Sequence, residues 1–498
     1  MRYLKVACLC VFLSLMGIVG CDFLERQPTD SVTRDNFFEN PDQLEQGVIG
    51  VYSKLQDVYE NQWAFTEMRS DNTTSMWNQQ NRGPHPYWII EEWTMAPSNL
   101  ILEPYWQDVY QGIQRANTVI NALNARSQPS ERLQRLTGEA KFLRALNYFH
   151  LARLFGSVPL PRNEVRGPDD AFATIESKSP VDSVYTQVIS DAQDAISLLP
   201  VENPAGEGRA TEGAARTLLG DVYLHRGEYA SARDQFQSVV ELGEYTLLDD
   251  YASAFDPSVS PNEESVFSVQ FGAFSGDRGL GNTLFTTFAP HNSGTEIIGD
   301  VSANPVGLNI PTRDMLDSYE EGDERKSASI GFFVDPDNID RGIAINDTIP
   351  YVKKYLSPNS VRGVTGDDWP IYRYSEVLLK LAEVLNELGQ TGDAFQYVNM
   401  VRDRAGLQDL PNSLSQSEFR EAVYREQRVE LAFENDRWYN LLRTERALSV
   451  MREHGNKMRG IQPHWQLPVY QIEEFKLRYP IPAREIDLNP DLEQASGW

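Results

Sequence analysis

Hydrophobic residues recur at helical spacing along most of the chain. The pattern begins near Asp42 and runs through "LEQGVIGVYSKLQDVY". It returns in "YWQDVYQGIQRANTVINALN" and again in "RLQRLTGEAKFLRALNYFHLARLFG". Apolar residues three and four positions apart lie on one face of a helix, so these segments predict amphipathic helices. Ser127-Gln128-Pro129 predicts the break between the last two.

Two later segments share one register of small and large residues. In the first, small residues lie at Gly220 and Ala232; in the second, they lie at Ala382 and Ala394. The gap is twelve positions in both, which fits the tetratricopeptide pattern of two antiparallel helices that cross at small residues. Larger apolar residues fill the rest of the register: Leu219, Tyr223, Phe236, Val239, Leu381, Leu385, Val398 and Val401. Such pairs cannot bury their apolar faces alone, so we expect them to stack into a shared core.

Other segments extend this scaffold and interrupt it. Thr137–Leu154 predicts the first helix of a third pair, and Ser417–Thr444 predicts a further amphipathic helix. Between the two clear repeats, residues 246–370 are rich in Gly, Asn, Pro, Ser and Phe, with short apolar runs such as "SVFSVQF". This composition indicates long loops with short strands. The predicted fold class is all-α, a tetratricopeptide-like helix-pair scaffold with a large loop-rich region and a few short strands.

The N-terminus predicts export and a lipid anchor. Residues 1–20 combine a short basic start with an apolar run from Val6 to Val19, as a signal peptide does. The segment before Cys21 resembles the lipobox of bacterial lipoproteins, which implies that Cys21 becomes the first mature residue and carries the lipid. Ordinary secretion with cleavage near Gly20 is the alternative. Residues 21–41 are then a polar tether, and residues 42–498 form a single domain.

Charge and cysteine content narrow the class of function. The formal net charge is −27 and the chain has no basic run, which excludes a nucleic-acid partner. Cys8 and Cys10 lie in the predicted signal peptide, so the mature protein has no disulfide and depends on its packed core. The excess of Asp and Glu over Lys and Arg fits either an ordinary solvated surface or adaptation to a saline habitat, and composition leaves both interpretations open.

Several blocks, in order, resemble one family along nearly the whole mature chain. They are "CDFLERQPTDSVTRDNFFEN", "EAKFLRALNYFHLARLFGSVPL", "YRYSEVLLKLAEVLNELG", "VRDRAGL", "REQRVELAFENDRWYNLLR" and "YPIPAREIDLNPDLEQASGW". The chain is thereby similar to the SusD/RagB-type outer-membrane lipoproteins of Bacteroidetes-like bacteria. The resemblance implies an all-α, cell-surface binding protein that faces the exterior, sits on a TonB-dependent transporter and captures oligosaccharides or, in some branches, peptides. It implies no catalysis. The family often has more acidic residues after the lipid-bearing cysteine, whereas here only Asp22 precedes Phe23.

An aromatic stretch without helical period is the predicted ligand surface. Five of the nine tryptophans lie between Asn61 and Trp106. An aromatic ring beside amides and charges suits a sugar, which has apolar C–H faces and a rim of hydroxyls. The resemblance implies a ligand face built from these loops and from the later loop-rich region. The predicted ligand-binding residues are Asp71, Asn72, Trp77, Asn78, Arg82, His291, Asn292 and Trp369. Trp88 and Trp93, which flank two isoleucines, are instead expected to brace the loop.

Motifs for catalysis are missing, so the sequence predicts a binding protein rather than an enzyme. It contains no metal-binding His-Glu-x-x-His, no nucleophile elbow and no phosphate-binding loop, and no cofactor is implied. A calcium site is left open. Arg428, Glu430, Glu434, Arg437 and Arg443 are expected to form scaffold ion pairs, and Trp106 to be part of the core. Three alternatives remain: a peptide-capturing relative, a lipid-anchored glycoside hydrolase with facing carboxylates, and a tetratricopeptide adaptor.

Overall fold

The computed structural model describes most of the chain after the predicted tether. The described residues are 37–76, 86–127, 130–167, 170, 177–206, 208–272, 281–299, 305–335, 343–345, 348–356, 364–461, 469–489 and 491–498. Within them the helices are α1 Pro41–Thr66, α2 Trp88–Glu91, α3 Leu102–Asn124, α4 Glu131–Leu154, α5 Val181–Leu198, α6 Glu212–His225, α7 Tyr229–Leu242, α8 Leu284–Phe288, α9 Arg313–Leu316, α10 Glu324–Ser329, α11 Tyr374–Glu387, α12 Thr391–Arg404, α13 Gln416–Glu430, α14 Arg437–Arg443, α15 Ala447–Ile461 and α16 Ala483–Leu488. The strands are β1 Thr73–Thr74, β2 Ser265–Val269, β3 Ile310–Pro311, β4 Ile330–Phe333, β5 Ile349–Val352 and β6 Trp369–Arg373.

Helix pairs stack in chain order to form the scaffold. The pairs α1–α3, α4–α5, α6–α7 and α11–α12 each pack together, and α5–α6 and α7–α11 join neighbouring pairs. A side-chain carbon at Gly220 would come within 2.7 Å of Phe236, so the helices of α6–α7 cross at the small residue that the register predicts. The predicted all-α helix-pair fold is confirmed, and α4–α5 is the third pair.

The predicted helix Ser417–Thr444 is interrupted, which corrects the sequence interpretation. α13 ends at Glu430 and α14 begins at Arg437. Between them Phe433 and Asn435 have positive φ, a conformation that ends a helix. The break frees backbone groups for tertiary contacts: the Asn435 amide donates to Glu67, and the Phe433 carbonyl accepts from the Tyr355 hydroxyl.

The loop-rich region is built on three short antiparallel ladders among the described residues. β2 pairs with β6, β4 with β5, and β1 with β3. β2 packs against α1 and α6, and β6 runs directly into α11, so these strands attach the loops to the scaffold. The β1–β3 ladder joins the start of the aromatic stretch to the later loop-rich region.

A buried ionic cluster strengthens that attachment. Arg373, at the end of β6, donates to Glu264 at 2.5 Å, to Glu430 at 2.9 Å and to Glu434 at 2.7 Å. Arg404 on α12 bridges Glu264 and Glu430 at 3.0 and 2.5 Å. Buried charges are tolerated when they are paired in this way. The loop-rich region and the helical scaffold therefore share one set of internal ion pairs.

Candidate functional site

The aromatic stretch leaves the core along a short strand. Thr73 and Thr74 of β1 pair with Pro311 and Ile310 of β3. The amide of Met76 then donates to the carbonyl of Gly307 at 2.8 Å. These backbone bonds fix the point at which the chain enters residues 77–85. The predicted residues Trp77, Asn78 and Arg82 lie outside the described residues.

His291 and Asn292 lie beside this point of entry. The amide of His291 donates to the sulfur of Met76 at 3.3 Å, and its Nδ1 contacts the Pro305 carbonyl at 3.1 Å. Asn292 is exposed, with φ of 65°, and its side-chain amide donates to Asp335 at 3.4 Å. The structure thus brings two residues predicted from a distant loop to the foot of the aromatic stretch. We call His291, Asn292, Asp335 and the exit from Met76 the loop face.

The strand that supplies Asp335 adds apolar groups that the sequence analysis missed. Phe332 is 48% exposed and Val334 is also exposed, whereas Phe333 between them is buried. This alternation is that of a strand with one face in the core. An exposed aromatic ring is suited to stacking on a sugar face. Only the alternation in "IGFFVD" signalled it in the sequence, and the run is too short to tell strand from helix.

The other end of the aromatic stretch is fastened by stacked rings. Tyr87 stacks on Trp63 of α1 with ring centroids 5.1 Å apart and an interplanar angle of 10°. Its hydroxyl donates to Asn61 at 2.8 Å. Phe288 of α8 meets the same tryptophan edge-on at 5.1 Å. Trp63 therefore connects the scaffold both to the returning loop and to the helix that precedes His291.

A buried glutamate joins both ends of the stretch, and sequence reasoning missed it. Glu91 accepts hydrogen bonds from the hydroxyls of Thr74 and Ser75, both at 2.5 Å, and from Tyr470 at 3.1 Å. Thr74 and Ser75 precede residues 77–85 and Glu91 follows them, so one carboxyl group clamps the base of the loop. Burial raises the pKa of Glu91 to about 8, although the three hydroxyls act in the opposite direction.

The raised pKa predicts a pH-dependent stability for this clamp. Between the ordinary pKa and about 8 the folded state binds more protons than the unfolded state, so the contribution of Glu91 to stability falls as pH rises. Glu91→Gln removes this titration. The free energy of unfolding of Glu91→Gln, relative to that of the parent protein, should therefore rise by roughly 2–4 kcal/mol between pH 5 and pH 8, measured by urea unfolding.

Glu453→Gln is the control, because the Glu453 side chain is largely exposed and its loss leaves the pH profile as it was. Burial also raises the pKa of Glu67, to about 7. Glu67 therefore contributes the same dependence of stability on pH in the parent and in every variant. Parallel pH profiles for the parent and Glu91→Gln would disprove the assignment of the slope to Glu91.

Asp71 and Asn72 occupy the interior, contrary to their expected place on the ligand surface. Arg437 and Arg428 pair with the Asp71 carboxylate at 2.8 and 3.0 Å. Burial raises the pKa of Asp71, but these two guanidinium groups outweigh it and hold the pKa well below its usual range. Asn72 accepts from Arg428 at 2.9 Å and donates to Glu67 at 3.3 Å. Their polar groups are used internally, so we assign them to support of the loop.

Trp369 is likewise a core residue and not an exposed ring. It is fully buried at the start of β6 and stacks on Tyr355 with centroids 4.6 Å apart and an angle of 18°. A ring that is covered on its faces by protein cannot also stack on a ligand. Trp369 lies at the end of the loop-rich region and begins β6, the strand that leads into α11.

Other tryptophans and ion pairs lie where the sequence predicts. Trp93 is buried, with the Arg69 guanidinium 3.4 Å above its ring, and Trp88 packs partly buried against the core. Trp106 is buried. The scaffold ion pairs are also confirmed, since Arg443 on α14 binds Glu383 on α11.

The described residues contain no group of three or more His, Cys, Asp or Glu side chains that could hold a metal ion. The calcium site stays an open expectation. In the same part of the chain no helix has the length and apolar content that a membrane span needs.

Fold and loop face together define a helical-repeat protein that carries a polar loop face beside the point where the aromatic stretch leaves the core. Two family models match it: one described as "Starch-binding associating with outer membrane" over residues 22–224, and one described as the SusD family over residues 328–498. The chain belongs to the SusD/RagB family.

Relatives and solved structures agree with this family over most of the length of the chain. SusD-like protein P25 of Formosa agariphila is 25% identical, covering 97% of this chain and 96% of that protein. The starch-binding protein SusD of Bacteroides thetaiotaomicron is 22% identical over 73% of each. A solved laminarin-binding SusD-like protein matches with a TM-score of 0.77 and 26% identity, covering 92% of this chain and 99% of that one.

Proposed function

We propose that this protein is a non-catalytic, cell-surface lipoprotein that captures oligosaccharides and delivers them to a partner TonB-dependent outer-membrane transporter. Cys21 carries the lipid anchor, so the protein is held at the outer membrane and faces the exterior. Capture combines stacking of sugar rings on aromatic side chains with hydrogen bonds from amides and charged groups. The protein needs no cofactor for this task.

One contact carries the proposal: the His291 amide meets the Met76 sulfur at the exit to residues 77–85. The two segments that contain Met76 and His291 were each predicted from the sequence to carry sugar-binding side chains. This contact makes them neighbours. Trp77, Asn78 and Arg82 lie within the six positions that follow Met76 in the chain. His291, Asn292 and the exposed Phe332 strand supply the other side. The proposed ligand surface is therefore the loop face together with Trp77, Asn78 and Arg82.

The relatives favour a glycan over a peptide as the ligand. The 26% identical neighbour binds laminarin, and a second neighbour of the same fold was solved with laminarihexaose. Laminarin is accordingly the first glycan to test. The peptide-capturing alternative is retained as an outcome of that test.

Replacing Trp77 by alanine tests the surface directly. We expect the purified lipid-free protein to bind oligosaccharides on a glycan array, with laminarin oligosaccharides included. Trp77→Ala removes the stacking ring, so affinity for the bound glycan should fall about tenfold or more, measured by isothermal titration calorimetry. Chemical analysis of the recovered glycan should find it uncleaved.

Trp498→Ala is a matched control, because Trp498 lies at the chain end against Phe475 and away from the loop face. It should bind glycan as the parent does. Undiminished binding by Trp77→Ala would remove Trp77 from the site. Absence of binding to any glycan would favour the peptide alternative, and cleavage of the glycan would favour the hydrolase.

A further inference from the structure

A polar cavity of about 190 Å³ lies among the helices of the scaffold. Arg153, near the end of α4, and His225, the last residue of α6, form part of its wall. Tyr185 of α5, Arg443 of α14 and Arg478 from the C-terminal segment complete the polar lining. None of these residues belongs to the loop face. At roughly 30 Å³ for each water molecule, the cavity holds about six waters, or one small polar molecule.

The cavity has more positive charge than its carboxylates neutralise. Asp221 lies 2.6 Å from Lys380 and 3.5 Å from Arg153, so one carboxylate is shared between two cations. Arg443 is paired with Glu383.

Arg478 has no carboxylate partner within ion-pairing distance among the described residues; its guanidinium donates to the backbone carbonyl of Arg153 at 2.5 Å. Burial lowers the pKa of Arg478 from its ordinary value, as expected for a cation without a counter-ion. Glu445 also lines the cavity, from an exposed turn where water screens its charge.

Two buried polar atoms of this wall lack hydrogen-bond partners in the part of the chain that the structure describes. His225 Nδ1 donates to the carbonyl of Asp221 at 2.9 Å, because a carbonyl can only accept. Burial lowers the pKa of His225 to about 4, so the ring is neutral at pH 7 and Nε2 is an acceptor. Both His225 Nε2 and Arg153 Nε are buried and have no hydrogen-bond partner among the described residues. Buried polar groups of this kind are normally satisfied, so they point to a molecule that occupies the cavity.

The required ligand must offer both negative oxygens and a hydroxyl donor. The Arg478 guanidinium, which has no carboxylate partner among the described residues, and the Nε of Arg153 suit a carboxylate. His225 Nε2 needs a hydroxyl that donates to it, which neither acetate nor sulfate can provide. The Tyr185 ring and hydroxyl add a further polar and apolar surface. We propose that this cavity binds a uronate, that is, a single sugar residue that bears a carboxylate.

Calorimetry with three probes tests this site independently of the glycan surface proposed above. At fixed ionic strength, the lipid-free protein should bind glucuronate saturably, and bind glucose and acetate at least tenfold more weakly. Arg478→Gln removes the uncompensated charge and should weaken glucuronate binding by about 10- to 100-fold. Arg484→Gln is the control, because Arg484 is exposed and pairs with Glu103 on the surface.

Tyr185→Phe serves as a second variant that keeps the packing. The Tyr185 hydroxyl has no hydrogen-bond partner among the described residues, so its removal should leave the fold unchanged and weaken glucuronate binding several-fold. If Arg478→Gln does not fold, glucuronate binding by Tyr185→Phe still tests the proposal. Equal affinity for acetate and glucuronate, or undiminished binding in the variants, would overturn the proposal.

Discussion

Replacing Arg373 by methionine is expected to lower the free energy of unfolding by about 3–5 kcal/mol. The Arg373 side chain is 2% exposed and binds three buried carboxylates, of Glu264, Glu430 and Glu434. Methionine retains the apolar stem but leaves these carboxylates short of one positive charge. An uncompensated buried charge costs far more than the net stability that a buried pair provides, so the single substitution should be severe. Urea unfolding measures the loss.

The same substitution should loosen the loop-rich region before the helix pairs. Glu264 directly precedes β2 and Arg373 ends β6, whereas Glu430 ends α13. The ion pairs therefore cross from loop region to scaffold. Hydrogen exchange should accelerate first in β2 and β6. Arg233→Met removes an exposed pair with Asp234 and should leave stability nearly unchanged. Lys354 also pairs with Glu434, at 2.6 Å. If Arg373→Met loses as little stability as this control, Arg404 and Lys354 are sufficient to neutralise the cluster.

The helical scaffold was predictable because its signals are local. The small residue Gly220 and the large residue Phe236 lie in one helix pair, and their contact follows from a register that the sequence displays. The predicted break before α4 also depends only on neighbouring residues. The interruption at Phe433 and Asn435 was missed because neither residue type ends a helix by itself. It arises from tertiary partners, among them Glu67, which lies 368 positions earlier.

The candidate site was predictable only in part, for the same reason. Asp71 and Asn72 have side-chain types that suit a ligand surface, yet Arg437, which binds Asp71, is 366 residues away, and Arg428, which donates to Asn72, is 356 residues away. The spacing of Arg428 and Arg437 indicated that these residues form ion pairs, but it did not indicate which carboxylates they bind. Glu91 was missed because the adjacent pair Glu91-Glu92 looks like ordinary acidic surface. Its burial depends on Tyr470, 379 positions later.

Replacing Trp63 by alanine is expected to cost about 3–5 kcal/mol of unfolding free energy and to weaken glycan binding beyond that loss. Trp63 is buried in α1, where it touches Tyr87 face to face and Phe288 edge-on. Its removal leaves a cavity at the junction of the scaffold with both walls of the proposed ligand surface. Tyr87 begins the return from residues 77–85, and Phe288 lies three residues before His291.

A second core variant with a similar loss of unfolding free energy separates the effect on stability from the effect on glycan binding. Phe236→Ala also removes a fully buried ring, but from the α6–α7 crossing, and should lose comparable stability by urea unfolding. Calorimetry on the folded fraction should then find glycan affinity unchanged in Phe236→Ala and about tenfold lower in Trp63→Ala. The difference follows because only Trp63 holds the loop ends in position, and positioned side chains bind without a further ordering cost. Equal affinities in the two variants would mean that the loop face keeps its geometry without the Trp63 stack, and that the hydroxyls held by Glu91 are sufficient to maintain it.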